Sequence, residues 1–153
     1  KRSADAGQEL EWSVPVTNFP VVQQYRTPTT KVAGFTYMDK RIQLTIQIME
    51  NQKVNKKKQI TASSPNIVHS YDAAHLTMTV NACDFPTATV HDAFSCLPAD
   101  MPVLFEEVRK QFVEFNQQDP LKQLLEAQDS LDLMPVRGSL DLQDILKSDF
   151  AFC

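Results

Sequence analysis

The sequence predicts an α+β fold, on three observations. Ile42, Leu44, Ile46 and Ile48 alternate with polar residues at the period of two that belongs to a β-strand. Leu104, Val108, Phe112 and Phe115 recur at helical spacing. Between these segments, Thr87–Val90 and Ala93–Leu97 flank the polar pair His91-Asp92 and read as a short hairpin. No internal repeat or low-complexity tract interrupts the pattern, so strands and helices belong to one mixed class.

Taken in order, residues 19–49 read as strands. Thr36 and Tyr37 lead into a turn at Met38-Asp39-Lys40, and the alternating run that follows completes a half-buried β-ribbon. The other face of that run carries Arg41, Gln43, Thr45 and Gln47, a polar row that either meets water or reads a ligand. Asn51–Ser64 is polar and lysine-rich and is expected to be a mobile loop. Ser64-Pro65 has the form of a helix start, a capping hydroxyl followed by a proline preset for the first helical position, and the helix is expected to reach about Val80. The hairpin comes next, its first strand favoured by β-branched residues. From Asp100 a core-facing amphipathic helix follows, with Glu106 and Lys110 expected to pair on its outer face. Asp119-Pro120 opens a shorter helix to about Gln128, and Leu140–Leu146 forms a last short one.

Composition narrows the function. The chain has 153 residues and a net charge of −4, and a chain of this size buries roughly 70% of its unfolded surface without help from disulfides or metals. Only three glycines occur, Gly7, Gly34 and Gly138, too far apart to build a phosphate-cradling loop, which excludes Rossmann and P-loop nucleotide binding. Polar residues interrupt even the best apolar run, Ile42–Met49, so no membrane span is expected. Cys83, Cys96 and Cys153 are odd in number and widely spaced, with no secretory leader ahead of them, and fit a reduced, intracellular setting. Starting at Lys1 rather than Met, the chain reads as a processed product or a piece of something longer. Charge is unevenly divided: residues 1–58 carry ten Lys or Arg against five acids, residues 59–153 five against fourteen. Such asymmetry points to a polyanion-facing surface, although Lys56-Lys57-Lys58 alone also fits a solvated loop.

Two constellations could carry chemistry. His69, Asp72 and His75 follow at three-residue steps on one helix, which places them at 0°, 300° and 240° about its axis; a zinc pair favours the i, i+4 spacing, so a metal site competes poorly with one packed and one solvated histidine. His69 and Asp72, with Leu76 on the same side, are better suited to line a cleft edge. His91-Asp92 stands where glycine or asparagine ordinarily turns a hairpin. A carboxylate on such a tip is a good hard-oxygen ligand for Mg²⁺, which takes one or two carboxylates plus substrate phosphates; the bland alternative is an exposed turn aspartate. Cys96 has no activating partner in the sequence and is expected to be buried and inert.

Four segments now bear together: Pro65-Asn66-Ile67-Val68-His69-Ser70-Tyr71-Asp72-Ala73-Ala74-His75-Leu76, Val90-His91-Asp92-Ala93-Phe94, Leu97-Pro98-Ala99-Asp100, and Asp144-Ile145-Leu146-Lys147-Ser148-Asp149-Phe150-Ala151-Phe152. Their order and spacing resemble the single-subunit DNA-directed RNA polymerases of tailed bacteriophages, with mitochondrial relatives further off. Phe19-Pro20-Val21-Val22-Gln23-Gln24-Tyr25 adds a fifth segment.

The resemblance implies the C-terminal part of a polymerase several times longer. Residues 1–69 would be a late fingers segment with the specificity hairpin at about 28–50, and residues 70–153 the palm segment, its hairpin packed by helices, with the carboxyl-terminal tail. Asp92 would be the catalytic aspartate that, with a partner from an earlier motif, holds two Mg²⁺ ions for nucleotidyl transfer. His69 would lie near the incoming ribose and help select ribonucleotides through the 2′-OH. The ribbon from Lys31 to Met49 would enter the promoter major groove, making Lys31, Thr36, Lys40, Arg41 and Gln43 candidates for base or phosphate contacts. The implied partners are template and promoter DNA, the RNA product, ribonucleoside triphosphates and the upstream remainder of the polymerase. The implied setting is an infected bacterium, with a mitochondrion second.

Three residues depart from the family pattern. Ala93 stands where serine or another small polar residue is usual, Ser95 where phage members often have glycine, and Cys153 where a small apolar residue ends the chain. The first metal-binding aspartate and the helix bearing the nucleotide-binding lysine and tyrosine are absent, so the chain alone is expected to be inactive. Two other classes remain: a non-catalytic nucleic-acid-binding module, and a small metal-dependent phosphoesterase built on His69, Asp72 and Asp92. DNA polymerases with a related palm commonly place a second acid after the catalytic aspartate, a role Ala93 cannot serve.

Overall fold

The computed structural model describes residues 7–48 and 53–152. Lys1, the ribbon's expected end at Met49, the start of the expected loop at Asn51 and the terminal Cys153 lie outside them. Mixed helices and small antiparallel sheets give the α+β composition expected. The chain divides into two compact units, Lys1–Glu11 with Val22–Ser64, and Trp12–Val21 with Pro65–Cys153. Strands β1 (Leu10–Ser13) and β2 (Pro20–Gln23) form a two-stranded sheet.

The first unit is dominated by an antiparallel ribbon of β3 (Thr29–Tyr37) and β4 (Lys40–Ile48), in register from Thr29↔Ile48 to Tyr37↔Lys40. Its turn is the pair Met38 (φ 48°) and Asp39 (φ 56°). Two successive left-handed residues give the primed turn whose twist matches the strands. Phe35, Leu44 and Ile46 lie on one face, yet they are 47–49% exposed, so the half-buried ribbon expected from periodicity is largely open. Two strands offer each other edges, not a covering layer. Elsewhere in the unit, Gln23 Nε2 donates to Gln59 O at 2.7 Å and Gln59 Nε2 donates to Gln23 O at 2.9 Å, while Arg26 binds Glu9 at 2.7 Å.

Helix α1 (Lys56–Ala82) begins eight residues before Ser64, so the expected loop and the expected Ser64-Pro65 start are both corrected. Asn55 starts the helix: its side-chain oxygen accepts from Lys58 N at 3.1 Å and its carbonyl from Gln59 N at 2.9 Å. Asparagine is among the best N-caps, and the Lys-Lys-Lys-Gln that follows propagates helix well. Pro65 lies inside the helix. It has no N–H for the carbonyl of Thr61, and nearby hydroxyls bond backward, Ser63 Oγ to Ile60 O at 2.8 Å and Thr61 Oγ1 to Lys57 O at 3.1 Å.

In the second unit the rest of α1 packs with α2 (Met101–Gln117) and α3 (Pro120–Ala127) around Trp12, Val14, Ala74, Met78, Leu104, Val108, Val113, Phe115 and Leu124. Trp12 Nε1 donates to Ser70 Oγ at 3.1 Å. Both shorter helix starts fall where the sequence places them: Asp100 and Asp119 precede prolines in the first turn, and Asp119 accepts from Lys122 N. Lys110 pairs with Glu107 at 3.0 Å rather than with Glu106, and Phe112 is half-buried while Arg109 is buried beside Val108. The last helix, α4, is only Asp144–Lys147, short of the expected Leu140–Leu146. Between α1 and α2 stand β5 (Ala88–Val90) and β6 (Ala93–Ser95), paired antiparallel. Among the described residues no helix is long and apolar enough to cross a membrane.

Candidate functional site

The β5–β6 hairpin presents Asp92. Val90 pairs with Ala93, which leaves His91 and Asp92 as a two-residue loop, and His91 has φ 55°. A left-handed conformation in a side-chain-bearing residue costs roughly 1–2 kcal/mol. Ser95 Oγ donates across the hairpin to Ala88 O at 3.1 Å, adding a tie between the strands. Asp92 is exposed, and its carboxylate has no hydrogen bond or ion pair among the described residues. Such a group fits a hard cation by its donor chemistry. It is one carboxylate, however: no group of three or more His, Cys, Asp or Glu that could hold a metal comes together among the described residues. A Mg²⁺ ion on this single carboxylate would need further oxygen ligands.

Behind the hairpin lies an aromatic cluster centred on His75. Its ring is 6.1 Å from that of Phe94 on β6, 5.4 Å from Phe112 on α2 and 5.6 Å from Phe152 in the carboxyl tail. His75 Nε2 lies 2.8 Å from Val108 O, and since a carbonyl only accepts, Nε2 carries the proton. Burial pushes the His75 pKa below its ordinary 6.5, against the opposing pull of the Val108 hydrogen bond and of Asp72. Arg109 secures the same tail: Nε donates to Ser148 O at 3.2 Å, Nη2 to Asp149 O at 3.2 Å and Nη1 to Phe105 O at 2.9 Å. Neither His75 nor Arg109 was legible as a packing centre from spacing. The one available signal for His75 was its six-residue offset from His69, which turns the two to different sides of a helix.

His69 and Asp72 are both exposed on α1, while Leu76 is half-buried. The three-residue steps therefore separate one packed histidine from one solvated histidine, and the His69, Asp72, His75 constellation forms no metal site, His75 Nε2 being committed to Val108. Between them, Tyr71 reaches the other way, donating to Pro120 O at 3.0 Å and meeting Phe115 edge-on; burial pushes its pKa up to about 12. Cys96 is half-buried rather than buried, and desolvation raises its thiol pKa, as it does for Cys83. Raised thiols are poor nucleophiles at neutral pH.

In the ribbon, register sorts the five candidate contacts onto two faces. Thr36 stands opposite Arg41 and Gly34 opposite Gln43, so Thr36, Arg41 and Gln43 share one face. Gly34 keeps that face low beside Arg41: a Cβ there would lie 4.0 Å from Arg41 Nε. Lys31 pairs with Ile46 and Lys40 with Tyr37, which puts both lysines on the apolar face, at opposite ends of it. All five residues are exposed.

Comparison with known proteins gives a consistent match. A family model described as DNA-dependent RNA polymerase fits residues 2–132. The DNA-directed RNA polymerase of Enterobacteria phage T3 is 38% identical over 94% of this chain and 18% of its own length. T7 RNA polymerase of Escherichia phage T7 is 35% identical over the same shares. The mitochondrial DNA-directed RNA polymerase 1 of Arabidopsis thaliana is 34% identical over 92% of this chain and 15% of its own. The chain thus spans less than a fifth of the length of these relatives.

Proposed function

Because this chain belongs to the DNA-dependent RNA polymerase family, we propose that it is the C-terminal fingers and palm segment of a template-directed RNA polymerase, with Asp92 as its contribution to the catalytic centre. The observation that carries this reading is the unpaired carboxylate of Asp92 on a strained two-residue hairpin tip. The two-residue loop holds Asp92 at the tip, where its carboxylate is open to a ligand.

In nucleotidyl transfer, bound Mg²⁺ supplies positive charge that favours the deprotonated RNA 3′ hydroxyl and the leaving pyrophosphate. Asp92 would hold that charge together with a carboxylate from the upstream part. His69, exposed on α1 within the family-like segment that begins at Pro65, would hydrogen-bond the ribose 2′-OH of the incoming ribonucleoside triphosphate. Residues 1–69 would belong to the late fingers and residues 70–153 to the palm and carboxyl tail. In the ribbon, Thr36, Arg41 and Gln43 offer the contiguous polar face that reading a promoter major groove requires. Lys31 and Lys40 would serve phosphates from its edges. The basic excess of residues 1–58 suits DNA and RNA backbones. Phage and mitochondrial relatives make an infected bacterium the first setting and an organelle the second.

The alternatives draw no support: a phosphoesterase on His69, Asp72 and Asp92 needs a metal cluster that these residues do not form. The experiment is primer extension with ribonucleotides and Mg²⁺, using this chain alone and with a separately produced upstream polymerase portion. Extension only from the mixture supports the reading. Extension by the chain alone, or none from a demonstrably assembled mixture, overturns it.

A further inference from the structure

We propose that His75 is a positioning residue that ties the Asp92 hairpin to the carboxyl-terminal tail; the proposal rests on the catalytic reading of Asp92 given above. His75 makes no hydrogen bond or ring contact with Asp92. It acts through Phe94, which lies two residues beyond Asp92 on β6 and pairs across the hairpin with Thr89. The hairpin has only three residues in each strand, too few to fix its own tip in water. Its placement must come from what its side chains rest on, and Phe94 rests edge-on against the His75 ring, with 69° between the planes.

The imidazole is held from two sides. Nε2–H donates to Val108 O on α2 at 2.8 Å, which fixes the ring's rotation as an apolar side chain of similar size could not. Phe112 meets it edge-on at 81° and Phe152 lies against it at 34°, while Phe112 and Phe152 meet each other at 5.3 Å. The tail that delivers Phe152 is anchored just upstream, where buried Arg109 grips the carbonyls of Ser148 and Asp149 with its guanidinium stacked 3.3 Å from the Phe105 ring. That guanidinium spends its hydrogen bonds on three backbone carbonyls, a use that makes sense for locating a chain segment. The sequence of contacts is then continuous: Arg109 sets the tail, the tail sets Phe152, and Phe152 with Val108 sets His75, against which Phe94 seats the hairpin.

The test reads the hairpin directly, without activity. The 153-residue chain is labelled with 4-fluorophenylalanine at position 94 and followed by ¹⁹F NMR. Phe152→Ala is expected to shift the position-94 resonance by more than its line width, and this response is expected to vanish in His75→Leu. His75→Gln, which keeps a donor for Val108 O but removes the ring, serves if His75→Leu does not fold, and is expected to abolish the response equally. A resonance indifferent to Phe152→Ala, or one that responds equally with and without His75, overturns the proposal. In the reconstituted polymerase, His75→Gln is expected to lower kcat by about 10- to 100-fold, the cost of a small misplacement, with promoter Kd unchanged. A kcat unaffected by His75→Gln while Asp92→Asn is inactive overturns this inference alone; an active Asp92→Asn overturns the catalytic reading beneath it.

Discussion

His69 and His75 share one helix and meet opposite environments, because six residues rotate a helix by roughly 240°. His69 stays in water, where an imidazole can exchange a water for a ribose hydroxyl. Losing one such hydrogen bond is worth about tenfold, so His69→Ala is expected to cut ribo-over-deoxyribonucleotide preference by about that factor in the reconstituted enzyme while the rate of ribonucleotide addition changes less. Competition between labelled ribo- and deoxynucleotides checks this, and unchanged preference would remove His69 from sugar selection. Buried His75 is held neutral, its pKa below 6.5 in the folded chain. Below pH 6.5 the unfolded chain therefore binds more protons than the folded one, so the contribution of His75 to stability is complete above 6.5 and is lost as pH falls from there through the lowered folded value. Melting temperatures between pH 7 and pH 5 are expected to fall more steeply for the native chain than for His75→Gln. Equal slopes would show that His75 carries no such burden. Residue-scale patterning reached the packed-versus-solvated choice for this helix but not which histidine was which; that depends on α2 and the tail, and helical angles alone carry no information about either.

Elements differ in how much of their origin is local. The β5–β6 hairpin and the starts of α2 and α3 were legible because each rests on a few adjacent residues: β-branched strand residues around His91-Asp92, and an aspartate before a proline. Helix α1 was misread for the same reason in reverse, since Ser64-Pro65 imitates a start that Asn55 had already supplied. The internal Pro65 makes a test. Because proline in a helix interior costs about 3 kcal/mol relative to alanine, Pro65→Ala is expected to raise the denaturation midpoint, with a gain of about 1–3 kcal/mol once relaxation around the backward-bonding hydroxyls is allowed for. Urea unfolding followed by circular dichroism measures it, and a destabilised variant would mean that the helix is shaped around the proline. The ribbon was read correctly as two strands and a turn, but only register could sort its candidate contacts: Arg41 shares a face with Thr36 and Gln43, whereas Lys31 sits among apolar residues. Arg41→Ala is accordingly expected to weaken promoter binding by the assembled enzyme by about 1–3 kcal/mol while binding to non-promoter DNA changes little. Equal losses on promoter and non-promoter DNA would take Arg41 off the base edges.

At the scale of the molecule, the apolar residues left in water belong to a chain that spans less than a fifth of the phage T3 and T7 relatives. Val136 is fully exposed, Phe150 is 84% exposed and Leu140 72%, far beyond what hydrophobic burial favours. If the chain is a segment of a longer polymerase, as proposed above, the remainder of that polymerase would cover them. This could not be read from periodicity, which marks apolar positions without saying whose surface covers them. Family motifs, the charge asymmetry and the hairpin carboxylate could be read, and together they concentrate the functional claim on one side chain. The most direct measurement is therefore Asp92→Asn in the reconstituted enzyme, with primer extension and promoter binding assayed on the same preparation. Extension is expected to fall by several orders of magnitude, as when an essential group of a catalytic centre is removed, with promoter Kd within about twofold of the native value, since asparagine keeps the size of the side chain and removes only its charge. Extension at the native rate, or loss of extension and promoter binding together, would contradict a catalytic Asp92.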